Sequence, residues 1–141
     1  MAGRLVVSAE ALPAKTNREK VLALEAKMRE LPQVEIETIH HFAPGVYARE
    51  IRIPAGVLLT GMIHRTEHLS IISKGRMTVV SANAPKIEIE APYTLLSKPG
   101  AKRAIYAHTD SVWTCIHPTT ETDLDKLEEL FIAPCFEALG D

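Results

Sequence analysis

Two periods of hydrophobic positions divide the chain. Between Thr16 and Leu31 the apolar residues recur at helical spacing: Val21, Leu24, Met28 and Leu31 share one face, while Lys20, Glu25, Lys27, Arg29 and Glu30 fill the other. An α-helix brings residues three and four apart onto one side, so the pattern predicts an amphipathic helix over residues 17–31. Thr16-Asn17-Arg18-Glu19 has the form of a capping box, with a hydroxyl at the N-cap and a carboxylate three residues on, and Pro32 ends the helix. The apolar stripe is expected to pack on the chain's own sheet, with a contact to a second subunit as the alternative.

From Val34 the period falls to two. Val34, Ile36 and Thr38 alternate with Glu35, Glu37 and Ile39, and Pro44-Gly45 makes a turn before Val46 to Ile53 alternates again. Further strands are predicted at Val57 to Ile63, Leu69 to Ser73, Met77 to Ala82, Lys86 to Glu90, Tyr93 to Ser97, Arg103 to Ala107 and Val112 to His117. They are punctuated by Pro54-Ala55-Gly56, Lys74-Gly75, Asn83-Ala84-Pro85, Ala91-Pro92 and Lys98-Pro99-Gly100. Many short strands separated by regular turns predict an all-β sandwich or barrel, closed so that few edges are left bare. A last helix is predicted at about 123–132, opened by Thr122 to Asp125, with Leu124, Leu127, Leu130 and Phe131 on one side and Pro134 beyond. The expected organisation is an arm over residues 1–15 and one domain over 16–141, its barrel at about 34–118 and a helix at either end.

Composition narrows the function classes. A chain of 141 residues suffices for one domain with a real core, and a net charge of −2 with a pI near 6.3 offers no basic face for nucleic acid. Cys115 and Cys135 form no CxxC pair and predict free thiols, no apolar run reaches membrane-spanning length, and Glu10 interrupts the short run Leu5-Val6-Val7 without a cleavage site. A soluble, cytoplasmic protein is the expectation.

Candidate chemistry concentrates in Gly56 to Gly75, GVLLTGMIHRTEHLSIISKG, where His64 and His68 lie between strand-like apolar segments. This arrangement resembles the first motif of the cupin superfamily, G-x5-H-x-H-x3,4-E-x6-G. Gly56, His64 and Gly75 keep their places, Met62 stands where the first histidine belongs, and His68 stands where the glutamate belongs. The second motif, G-x5-P-x-G-x2-H-x3-N, keeps Gly100 but has Pro92, Lys98, Arg103 and Ala107 at its other named positions. The runs HRTEHLSIISKG, PGAKRAIYA and VWTCIHPT resemble small single-domain cupin-like proteins encoded by bacteriophage genomes. The resemblance covers residues 46–118 and implies a double-stranded β-helix, a jelly-roll barrel.

Cupin metal sites use three histidines and a carboxylate around divalent iron, manganese, nickel or zinc, so the resemblance implies His64 and His68 as ligands. His117 is the candidate third ligand, with His108, in a turn, as a substitute. Glu67 is expected to point away by alternation. Without an ion, the same histidines would be pocket polar groups bonded to neighbours such as Thr66, Ser70 or Tyr106. Arg103 cannot coordinate a metal; with Lys98 and Lys102 nearby it suits a carboxylate or phosphate, or else it pairs with Glu50 or Glu67. His64, His68, Arg103 and Tyr106 are therefore the candidate ligand-binding residues. His40 and His41, adjacent on a strand, face opposite sides and are expected in structural or surface roles. Trp113 is expected in the core or a dimer contact, and Cys115 as a small buried hydrophobe.

Three functions stay open at this point. The first is a cupin that binds a small anionic metabolite or nucleotide without catalysis, and the second a metal-dependent dioxygenase, isomerase or lyase. The third is a structural or accessory protein such as a phage virion component. A homodimer is expected in each case.

Overall fold

The protein is described by a computed structural model covering residues 16–139, so the expected arm over residues 1–15 lies outside the described residues. In chain order the elements are helix α1 (Asn17–Met28) and strands β1 (Glu37–Ala43), β2 (Val46–Ile53), β3 (Leu58–Thr60), β4 (Ile63–His64), β5 (His68–Lys74), β6 (Arg76–Ser81) and β7 (Ala84–Glu90). Then follow β8 (Tyr93–Ser97), β9 (Arg103–Ala107), β10 (Ser111–Pro118), helix α2 (Leu124–Phe131), β11 (Ile132–Ala133) and a closing 3-10 turn (Phe136–Leu139).

The strands form a jelly roll. One sheet runs β1-β2-β10-β5-β8, a second β3-β9-β6-β7, and a short pair joins β11 to β4. All pairings are antiparallel, and β10 is central to the larger sheet, its Cys115 lying between Arg49 of β2 and Ser70 of β5. Alternation sends Ile53, Ile72 and Trp113 of the larger sheet inward to meet Met77, Val79, Ile105 and Ala107 of the smaller one, all essentially buried. Each such large side chain contributes about 1.5–3 kcal/mol on leaving water, so this contact is what holds the sheets face to face. Trp113 belongs to this core, as expected.

The element boundaries depart from the sequence expectation in several places, four of them for a clear local reason. Helix α1 stops at Met28 because Gln33 Nε2 donates to the carbonyls of Met28 and Leu31, both at 2.9 Å, and turns the chain off the helix; Leu31 is left exposed. Only Val21 of the stripe is fully buried. Strand β1 begins at Glu37, not Val34, and runs through the histidine pair. Its partner β2 spans Val46 to Ile53, and residues before Glu37 have no pairing partner in it. The expected strand from Val57 to Ile63 is broken at Gly61, whose N–H donates to the Arg103 carbonyl and whose carbonyl accepts from Lys102 Nζ at 2.8 Å. Two short strands in different sheets result. Helix α2 is capped by Asp123, which accepts from the backbone of Asp125 and Lys126, and not by Thr122.

The Lys74-Gly75 turn is stricter than composition implies. Gly75 has φ +97°, and a Cβ there would approach the Asp110 carbonyl at 2.7 Å, so only glycine lets β6 follow β5 at this place. Among the described residues no helix is long and apolar enough to cross a membrane.

Candidate metal centre and pocket

Three strands bring three histidines to one end of the barrel. His64 is fixed by its backbone: its N–H donates to the Ala101 carbonyl at 3.0 Å, its carbonyl accepts from Gly100 at 2.8 Å, and β11 pairs Ile132 against it. His68 opens β5 on the inward face that Ser70 and Ile72 continue. His117 sits inward on β10 with Trp113. The last pair in the β5–β10 ladder is Leu69 with Ile116, which places His68 and His117 side by side one step further on.

The rings meet closely. Their centroids are 4.3 Å apart for His64–His68, 4.5 Å for His68–His117 and 5.8 Å for His64–His117. One ring nitrogen from each lies within 4.8 Å of the others. His68 Nδ1 donates to the Thr66 carbonyl at 3.1 Å, which leaves Nε2 as its ligand nitrogen. His64 Nδ1, His68 Nε2 and His117 Nδ1 are buried without a hydrogen-bond partner among the described residues. An orphaned buried polar atom costs about 1–3 kcal/mol, and a folded chain seldom collects three in one place. A divalent transition ion fits this donor set, since imidazole nitrogen suits zinc, nickel and iron.

Electrostatics keeps the donors in their ligand form. Burial, reinforced by His68, His117 and then Arg103 and Arg49, lowers His64 to about 3. Burial with His68 and Arg49 lowers His117 to about 4. Burial also lowers His68, against the opposing effect of its bond to the Thr66 carbonyl. All three imidazoles are neutral at physiological pH, as metal ligation requires. Phe131 of α2 stacks on His117 at 4.3 Å, and Tyr47, whose hydroxyl bonds His40 Nδ1 at 2.7 Å, lies 6.2 Å from the same ring.

A cavity of about 300 Å³ opens beside the cluster, with His64, His117 and Arg103 on its wall among Ile51, Leu59 and Trp113. Arg103 Nη2 donates to Ser97 Oγ at 2.8 Å, that oxygen is 3.1 Å from Ser70 Oγ, and the guanidinium lies 5.5 Å from the Trp113 ring. Glu50 binds His41 and Arg52, and Glu67 pairs with Lys98 at 3.7 Å, so neither expected carboxylate reaches Arg103. No carboxylate forms an ion pair with Arg103 among the described residues.

The other candidates sort themselves by strand face. Tyr106 does not join the ligand-binding set: Arg103 and Ile105 face the cavity, so alternation turns Tyr106 outward, where it is exposed and packs edge-on to His108. His108 bonds Thr78 Oγ1 at 2.7 Å, away from the cluster. Lys98 and Lys102 do not assist Arg103, since Lys98 is on the surface and Lys102 is buried against Glu25 and Gly61. Glu67 is exposed, as its alternation implies. Cys115 is largely covered and lines the cavity, its thiol raised by burial. The sequence reading missed Ser97, Tyr47, Arg49 and the wall supplied by α2. Alternation in β2, which turns Tyr47, Arg49 and Ile51 the same way, was the available signal for two of them.

No family model matches the chain, and no curated protein matches it in sequence. Solved structures do. Ectoine synthase from P. lautus superposes with a TM-score of 0.57 at 11% identity, over 75% of this chain and 80% of that one. Salicylate 1,2-dioxygenase from Pseudaminobacter salicylatoxidans gives 0.56 at 13% identity, over 79% of this chain and 34% of that longer one. A cupin superfamily protein from Desulfitobacterium hafniense gives 0.50 at 14% identity, over 66% and 85%. At such identities the likeness is one of fold: the chain has the jelly roll of cupin superfamily proteins.

Proposed function

We propose that this protein is a metal-dependent enzyme of cupin fold acting on a small organic anion. The observation that carries the reading is the set of three largely buried imidazoles, one ring nitrogen from each within 4.8 Å of the others, each ring also carrying a buried nitrogen without a partner among the described residues. His64, His68 and His117 would hold a divalent iron, manganese, nickel or zinc ion. When bound, the ion would supply a Lewis acid at the cavity wall.

The chain's own residues would do the remaining work. Three neutral ligands leave the full charge of a dication unbalanced, and Arg103 adds another positive charge on the same cavity. An anionic substrate answers both. Arg103, held by Ser97 and backed by Trp113, would fix the acid group through its planar fork. The apolar walls would orient the carbon frame and exclude water, and Phe131 would lock the His117 ring in place. Two fold neighbours are enzymes of small organic molecules, an ectoine synthase and a salicylate dioxygenase, which supports the reading at the level of fold alone. Anion binding without catalysis is a second reading, favoured by Arg103, which has no carboxylate partner among the described residues.

Elemental analysis of tag-free protein tests the proposal. Near-stoichiometric transition metal is expected in the wild type and a loss of most of it in His64→Ala. Wild-type protein that takes up no transition metal after supplemented expression would overturn it.

A further inference from the structure

We propose that the substrate is a dianion, a small dicarboxylate bridging Arg49 and Arg103 with its carbon chain along the apolar wall. The proposal rests on reading the cavity as an anion site and goes further by counting its charges.

Arg49 is the second cation of the cavity. It lies on the inward face of β2 between Tyr47 and Ile51, with His40 of β1 and Cys115 of β10 as its cross-strand partners. Arg103 comes from β9 in the opposite sheet and reaches across to Ser97 and Trp113. Both arginines thus line one cavity from facing sheets, Arg103 half-buried and Arg49 exposed, and both act on the Cys115 thiol and on His64. Neither has a carboxylate partner among the described residues, and Arg49 has no hydrogen bond there either.

Arginine does not lose its proton in proteins, so an unpaired guanidinium cannot escape its charge as a lysine can. Water can solvate the exposed Arg49, whereas the half-buried Arg103 is only partly reached by it, and an anion shared between the two would answer both charges. One carboxylate satisfies one planar fork. Two forks on a cavity that Ile51, Leu59 and Ile105 also line would suit two carboxylates joined by a short hydrocarbon. Asp125 and Glu128 of α2 also line the cavity but pair with neither arginine among the described residues. They set the α2 side against negative charge, which leaves the sheet side for both acid groups.

Isothermal titration of the metal-loaded protein with chain-matched acids provides the test: succinate against butyrate, glutarate against valerate, adipate against hexanoate. At least one diacid is expected to bind roughly 10-fold or more tightly than its monoacid, the worth of one added charge-assisted pair. Arg49→Met and Arg103→Met, each checked by circular dichroism for the wild-type fold, are expected to bring that ratio close to one. Diacids that bind no more tightly than monoacids would overturn the proposal, and so would an unchanged ratio in Arg49→Met, which would assign Arg49 to the acidic residues of α2. The metal content of the same samples separates the two readings. Diacid selectivity in metal-free protein would sustain this inference while removing the enzyme proposal, and bound metal without carboxylate affinity would do the reverse.

Discussion

Lys102 and Arg103 are neighbours in sequence and opposites in use. Lys102 is 5% exposed, yet its ammonium is fully answered: Glu25 Oε2 accepts at 2.7 Å, the Gly61 carbonyl at 2.8 Å, and Thr60 donates to the same carboxylate oxygen at 2.8 Å. Burial raises the Glu25 carboxyl, but the bonds from Lys102 and Thr60 outweigh it and the group ends below its ordinary value. Arg103, one residue on and facing the other way, has a serine hydroxyl, an aromatic ring and no carboxylate. A charge that serves the fold comes with its counter-charge built in. On the proposed reading, the Arg103 charge would wait for that of a ligand.

The comparison breaks first, and most visibly, on stability. Glu25→Ala should cost about 3 kcal/mol in urea denaturation, because it strands a buried ammonium, and Glu25→Leu combined with Lys102→Met should recover most of that loss. Arg103→Met should stay within about 1 kcal/mol of wild type. An Arg103→Met loss as large as that of Glu25→Ala would show that both cations are structural.

The next effect concerns the three clustered histidines, which resemble Arg103 in having no carboxylate partner among the described residues. His64→Ala should weaken transition-metal binding by at least about 100-fold, measured by competition with a chelating dye, with no comparable loss of stability. Arg103→Met should lower the affinity for valerate by roughly 10-fold and leave metal stoichiometry unchanged.

The smallest effect appears with pH. His64 and His117 are held near 3 and 4, below the value near 6.5 expected in an unfolded chain, so the unfolded state binds more protons between those limits. The stability of metal-free protein should therefore fall as pH drops from 7, with His117 alone contributing on the order of 1 kcal/mol by pH 5.5. Glu25 has the usual carboxylate sign: its contribution is present above the unfolded value and is lost on further acidification through its lowered folded value. Thermal melts should show the upper slope reduced in the double substitution His64→Ala, His117→Ala, with a share left to His68, and retained in Glu25→Leu with Lys102→Met.

Much of this architecture was legible in the sequence, because a period of two and glycine turns are local properties. Val46 to Ile53 and Arg103 to Ala107 came out with the observed boundaries for that reason. The motif spacing from Gly56 to Gly75 located His64 and His68. Tyr106 was misplaced although the same alternation, counted from Arg103, turns it outward. Other features were less legible. His117 was offered as a third ligand, but that it lies beside His68 depends on the register between β10 and β5, and the partner of Lys102 comes from a helix far back along the chain. Pairings of that kind are set by tertiary packing and leave no mark on neighbouring residues.

The pairing of His64 with Ile132, and the seat of Phe131 on His117, also order events during synthesis. His64 and His68 leave the ribosome well before β10, and the ring that braces His117 comes later still. A growing chain therefore carries two histidines of an unfinished set, on a barrel that lacks its central strand. Any ion held by the three histidines would therefore be taken up after the barrel is complete, and a translational pause before residue 111 would leave the nascent chain without the third imidazole.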